Sequence, residues 1–102
     1  MNPILLSYEP YVFLNKKYLN TSTECGCMYC FNRFDPSTVN EFCRDKDAET
    51  NESVLETALC PLCGIDAVVP NKLINFTDEM LFQWHMSAWG ADSAARRLQE
   101  KN

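Results

Sequence analysis

The chain has 102 residues, 46% of them hydrophobic and 23% charged, with a formal net charge of −5. That length supports one domain with a modest core. Nine Lys and Arg stand against fourteen Asp and Glu, and the closest basic clusters are the pairs Lys16-Lys17 and Arg96-Arg97. This disfavours direct nucleic-acid binding, which needs a basic stripe to displace counterions from phosphate. No run approaches the ~20 apolar residues that span a bilayer.

Residues 1–24 are dense in apolar and aromatic side chains, among them Ile4, Leu5, Leu6, Tyr8, Tyr11, Val12, Phe13, Leu14, Tyr18 and Leu19. Pro3 and Pro10 argue against one continuous helix. Two short extended pieces, or a strand and a short helix at 11–19, fit the pattern, and the segment reads as a cover for the core. Met1–Leu6 lacks the basic start and long apolar stretch of a secretory signal.

Two cysteine hooks follow. Cys27-Met28-Tyr29-Cys30 is the first and Cys60-Pro61-Leu62-Cys63-Gly64 the second, with 29 residues between Cys30 and Cys60. Four thiolates at this spacing close a tetrahedral site around zinc, or around a single iron. A site with four cysteines and no open position is a structural one. The expected ligands are Cys27, Cys30, Cys60 and Cys63, with one zinc ion favoured over iron. Cys25 is a third thiol near the first hook and takes the place of Cys27 if the turn is built differently. Paired Cys-x-x-Cys units without a signal peptide point to a reducing, cytoplasmic compartment and away from disulfides.

Between the hooks, Asp35 suits an N-cap and Pro36 a first helical position. Val39, Phe42 and Cys43 fall on one helical face, so a short helix is expected over about 36–44, with Cys43 a small buried hydrophobe. Residues 44–54 read as a solvated linker. After the second hook, Ile65, Ala67 and Val69 alternate before Pro70, which predicts a strand over 65–69. Gly64 supplies the backbone freedom that a tight knuckle needs.

A helix is expected from about Thr77-Asp78, with Thr77 or Asn75 as its cap, to Gly90. Leu81, Trp84, His85, Ala88 and Trp89 recur on one face, a face that must be buried in the core or in a partner. Residues 92–100 form a further helical stretch capped by Asp92. His85 is the only histidine in the chain. A hydrolytic metal site needs an open position, a base and oxygen or nitrogen ligands, and no such set can be assembled here. The expectation is therefore a protein that is not an enzyme.

Two resemblances attach to these residues. Cys27-x-x-Cys30 with Phe34-Asp35-Pro36, and Cys60-Pro61-Leu62-Cys63-Gly64, resemble the two iron-binding loops of rubredoxin. That likeness spans 27–64, with Phe31 standing where rubredoxins carry Gly, and it implies electron transfer at one iron. The second is wider, from about 25 to 89. The string Thr57-Ala58-Leu59-Cys60-Pro61-x-Cys63-Gly64-Ile65-Asp66-Ala67-Val68, with Phe34-x-Pro36-Ser37 before it and a closing helix carrying His85 and Trp89, resembles a family of small cytoplasmic zinc-ribbon-like proteins of bacteria and their phages. It implies a metal-stabilised protein and no particular mechanism.

The sequence thus predicts a single α+β domain over 1–102, with a four-cysteine zinc-ribbon or rubredoxin-like core, a short inserted helix and a C-terminal helix. Its parts are the 1–24 cover, the 25–70 metal-binding ribbon and the 77–100 helical region. The expected function is a zinc-stabilised protein-interaction module, a small regulator or inhibitor of a larger nucleic-acid-processing or defence enzyme. The acidic charge fits a protein partner. A rubredoxin-like one-iron carrier and a nucleic-acid-binding ribbon are the alternatives. Replacing Cys60 or Cys63 with Ser should release the metal and unfold much of the chain, because metal-binding energy is folding energy in such sites. Cys43→Ala should leave metal content unchanged. Elemental analysis and circular dichroism of the variants check both outcomes.

Overall fold

The computed structural model describes residues 7–44 and 56–100. It is an α+β arrangement in which short antiparallel strands present the two hooks and two C-terminal helices pack over them. The linker expected at 44–54 and the apolar residues Ile4, Leu5 and Leu6 lie outside the described residues, apart from Arg44 at the end of a strand.

The N-terminal cover contains no strand among its described residues. A single helical turn, α1 (Glu9–Val12), carries Pro10 as its second residue, and a 3-10 segment over Lys16–Thr21 follows. Proline fits the first turn of a helix, where its missing N–H costs nothing. Among its described residues, Val12, Asn15 and Leu19 are buried.

Strand β1 (Cys25–Cys27) is the centre of a three-stranded sheet. On one side it pairs with β2 (Arg33–Phe34), with Cys25 opposite Phe34. On the other it pairs with β5 (Val68–Pro70), with Cys25 opposite Pro70 and Cys27 opposite Val68. The strand therefore runs between the chain returning from the first hook and the chain returning from the second. This is what brings the hooks face to face. Gly26 lies mid-strand, and a Cβ there would sit 2.6 Å from the Phe76 ring and 3.1 Å from Leu81. Glycine is required at this point for the 71–81 segment to close over β1.

The helix expected at 36–44 does not form. Asp35 does cap, accepting from Ser37 N–H at 2.8 Å, but the turn it starts is a 3-10 segment of only Pro36–Thr38. The chain then enters β3 (Phe42–Arg44), which pairs with β4 (Glu56–Ala58) in a separate two-stranded sheet. Three apolar residues at helical spacing are too weak a pattern to outweigh a cross-strand ladder. Phe42 opposes Ala58 and takes the Lys16 ammonium over its ring at 4.6 Å. Cys43, expected to be buried, is exposed on this ribbon. The strand expected at 65–69 begins later, at Val68, because Ile65 and Asp66 are still turning. The Ile65 carbonyl accepts from both Cys60 N–H (3.0 Å) and Ala67 N–H (2.8 Å).

Helix α2 (Asp78–Trp89) starts at Thr77, whose side chain accepts from Met80 N–H at 3.2 Å. It ends at Gly90, where a φ of 98° turns the chain into α3 (Ala91–Glu100). Asp92 lies in the first turn of α3 and does not cap it. Leu81, Trp84 and His85 are buried against the strands, and Trp84 meets the Tyr11 ring at 5.7 Å.

One polar side chain joins the layers. Asn15 is fully buried, and its amide donates to the carbonyls of Tyr11 (3.0 Å) and Val68 (2.7 Å). Its carbonyl accepts from Ala58 N–H at 2.9 Å. Beside it, Leu14 N–H donates to Thr57 Oγ1 at 2.8 Å. The N-terminal cover, β5 and β4 are thus pinned at one residue. Asn15→Ala leaves these backbone groups buried without partners, and each such group costs about 1–3 kcal/mol. The variant should lose about 3 kcal/mol of stability, read as a lowered denaturation midpoint by circular dichroism.

Candidate metal centre

The two hooks have the same backbone. In the first, Phe31 N–H donates to the Cys27 carbonyl at 2.8 Å, and in the second Gly64 N–H donates to the Cys60 carbonyl at 2.9 Å. The residue after each second cysteine is left-handed, with φ of 67° at Phe31 and 80° at Gly64. A non-glycine residue there carries about 1–2 kcal/mol of backbone strain. Phe31 offsets it by burial, packing on Phe82 (5.8 Å between ring centroids) and on His85 (5.1 Å). Phe31, the residue that departs from the rubredoxin pattern, thus adopts the backbone conformation for which glycine is the usual choice.

The knuckles aim amide groups at the sulfurs. Tyr29 and Cys30 N–H donate to Cys27 Sγ at 3.3 and 3.4 Å, and Leu62 N–H donates to Cys60 Sγ at 3.4 Å. The Asn32 side-chain amide donates to Cys30 Sγ at 3.4 Å. Such contacts stabilise thiolates and tune a metal they hold.

All four sulfurs of Cys27, Cys30, Cys60 and Cys63 lie within 4.8 Å of one another. Across the hooks, Cys27 Sγ is 3.6 Å from Cys63 Sγ and Cys30 Sγ is 3.8 Å from Cys60 Sγ. A tetrahedron with zinc–sulfur bonds of ~2.3 Å has edges of about 3.8 Å, so the spacing fits one ion. A disulfide would need about 2.05 Å, and all four are free thiols. Four cysteines are therefore placed to hold a metal ion. Sulfur-only ligation disfavours hard, oxygen-seeking cations and suits soft or borderline ones.

Crowding sets the protonation of the four sulfurs. Cys30 is pulled far below the ordinary thiol range, by hydrogen bonding from Cys27 first and then from Cys60 and Cys63. Cys60 falls to about 7, with the Cys27 contact the largest cause. Cys27 is driven up, by its contacts with Cys30, Cys60 and Cys63 and then by burial. Without a cation, some of these sulfurs must keep a proton so that others can ionise. A divalent ion would replace the protons and satisfy all four.

Cys25 belongs to a different environment. It is fully buried in β1 and its thiol is pushed up to about 12, by burial first and then by the charges of Asp35 and Glu24. It is not among the clustered sulfurs. Of the alternatives left open at the first hook, the geometry gathers Cys27.

His85 supports the first knuckle from behind. It is fully buried, with Nδ1 2.9 Å from the Met28 carbonyl and Nε2 2.8 Å from Ser93 Oγ. A carbonyl only accepts, so Nδ1 carries the proton and the neutral ring's Nε2 accepts from the Ser93 hydroxyl. One imidazole thus joins the knuckle, α2 and α3. Tyr29 and Trp89 close around it, with centroids 5.2 and 4.9 Å from its ring. The sequence showed a histidine on a helix face. It gave no sign of Asn15, Asn32 or Ser93, because a single buried amide or hydroxyl leaves no periodic signal.

No protein-family model, curated protein or solved structure matches the chain. Among the described residues, no helix is long and apolar enough to cross a membrane.

Two outcomes follow from this geometry. Gly64→Ala meets no atom within 4 Å, so its cost is backbone strain alone, about 1 kcal/mol by thermal denaturation with metal content retained. His85 is held below its ordinary value, chiefly by burial and also by the charge of Arg97, against the carbonyl contacts at Met28 and Tyr29 that raise it. The unfolded chain therefore takes that proton first as pH falls. Its contribution to stability is complete above about 6.5 and is lost as pH drops through the lower folded value. His85→Gln should flatten the stability–pH curve in that window, measured by denaturant titration at several pH values.

Proposed function

We propose that the chain is a zinc-stabilised protein-interaction module of the cytoplasm, acting as a small regulator or inhibitor of a larger enzyme, one that processes nucleic acid or serves in defence. The observation that carries this reading is the closed sulfur cluster. Four thiolates complete a tetrahedral ion, so no coordination position is left for a substrate or an activated water, and the ion's role is to hold the two hooks together.

Apolar side chains around the knuckles and helices are what a partner would meet. Leu62, at the tip of the second knuckle, is 62% exposed, Leu98 on α3 is 51% and Trp89 at the end of α2 is 41%. Of these, Trp is the typical anchor of protein interfaces. Among the cations, Lys16 pairs with Glu56, Arg33 with Glu24 and Asp78, and Arg97 with Glu100. This pairing, with the net charge of −5, weighs against nucleic acid as the direct partner.

A one-iron electron carrier is the second reading. It is supported by the matched knuckles and their N–H···S contacts, since such hydrogen bonds set the potential of an iron–thiolate centre.

The metal-loaded chain, immobilised and passed over lysate, should retain one protein in stoichiometric amount. A Trp89→Ala variant should lose at least tenfold in affinity for that protein, as expected of an aromatic anchor. Retention of nothing, or of DNA or RNA alone, would contradict the interaction reading.

A further inference from the structure

We propose that the cleft beside the cysteine cluster makes it a peroxide-reactive thiolate centre, in which Cys30 attacks, Cys60 resolves and Arg97 stabilises the departing hydroxide. The proposal rests on the metal-centre reading above and adds an activity to it.

The four sulfurs are not equally reachable. Cys27 and Cys60 are buried, whereas Cys30 and Cys63 are half-exposed. These two line a cleft of about 160 Å³ together with Tyr29, Asn32, Arg97 and Glu100. A water molecule takes up roughly 30 Å³ in the liquid, so hydrogen peroxide enters such a space with room to orient. A small oxidant therefore meets two thiolates and not four.

The cleft also holds a fixed cation. The Arg97 guanidinium lies over the Tyr29 ring at 5.2 Å and pairs with Glu100 through Nη1 at 2.6 Å. Its Nε–H is buried with no hydrogen-bond partner among the described residues. When a thiolate attacks a peroxide, negative charge builds on the departing oxygen, and a nearby cation lowers that barrier.

The balance of the reaction follows from the distances. The Cys30 thiolate attacks one oxygen of hydrogen peroxide. An S–O bond forms, the O–O bond breaks, and hydroxide leaves and is protonated by solvent. Cys30 is then a sulfenic acid. The nearest sulfur across the hooks is Cys60, 3.8 Å away. Its thiolate attacks Cys30 Sγ, the S–S bond forms, the S–O bond breaks, and a second hydroxide leaves. Two thiolates lose two electrons in all, and the peroxide becomes two waters. Cys60 is thus the sulfur placed to attack in the second step. With two of four thiolates consumed, a bound divalent ion would lose half of its ligands, and the fold it supports would loosen.

The test uses the full chain, purified with its metal and assayed first for zinc. Hydrogen peroxide is added with a chromogenic zinc chelator, and the products are mapped by peptide mass. The expected result is one zinc per chain at the outset, release on oxidation, and a Cys30–Cys60 disulfide. Arg97→Gln should slow release by peroxide about tenfold. It should leave release by iodoacetamide unchanged, since the diffuse iodide leaving group gains little from a guanidinium. Arg97→Lys should restore most of the peroxide rate. If zinc is present and survives peroxide, if the link is absent, or if Arg97→Gln slows both reagents alike, this proposal fails and the metal centre stands. If no metal is present at the outset, the metal-centre reading fails and this proposal with it.

Discussion

Four sulfurs held within 4.8 Å of one another cannot all ionise unless a cation sits among them. Much of the described structure serves that one requirement. Strand β1 lies between the strands returning from both hooks and so sets them against each other. The two knuckles repeat one backbone, turn N–H groups towards their sulfurs, and close with a left-handed residue. The helices contribute indirectly, through His85 holding the Met28 carbonyl and through the rings that enclose it. For a chain of this size a metal clip is an efficient source of stability, because the hydrophobic core is small.

The layers around this centre are joined by buried polar groups as much as by apolar contact. Asn15 satisfies backbone atoms of three separate segments, and His85 satisfies a knuckle carbonyl and the Ser93 hydroxyl. Short strands leave many backbone groups unpaired at their ends, and burying such groups without partners is costly. These two residues occupy places where strand ladders could not reach. They also fix geometry, since an amide with three partners has one orientation, whereas an apolar side chain of the same volume has several.

What the sequence disclosed depended on the range of each signal. The four cysteines were legible because metal ligation imposes a spacing, and the α2 helix was legible because its cap, its apolar face and Gly90 agree over twelve residues. The 36–44 segment was misread because Asp35-Pro36 opens a helical turn in either outcome. What continues it is decided by pairing with Glu56–Ala58, far along the chain. The late start of β5 has the same cause, as the knuckle holds Ile65 in its turn before Val68 can pair with Cys27. Phe31 offered no warning that it takes the left-handed conformation, because its compensation comes from Phe82 and His85, some fifty residues away in sequence. Cys25 and Cys27 could be told apart only once the register of β1 placed one in the core and the other in the cluster.

The four clustered cysteines are placed to hold one ion, and we propose that it is a structural zinc. Elemental analysis of the untagged full chain, together with its visible spectrum, decides this. One zinc per chain and no visible absorption is the expected result. One iron with thiolate-to-iron bands would overturn the zinc assignment and favour electron transfer, and a folded chain with no metal would overturn the metal centre itself.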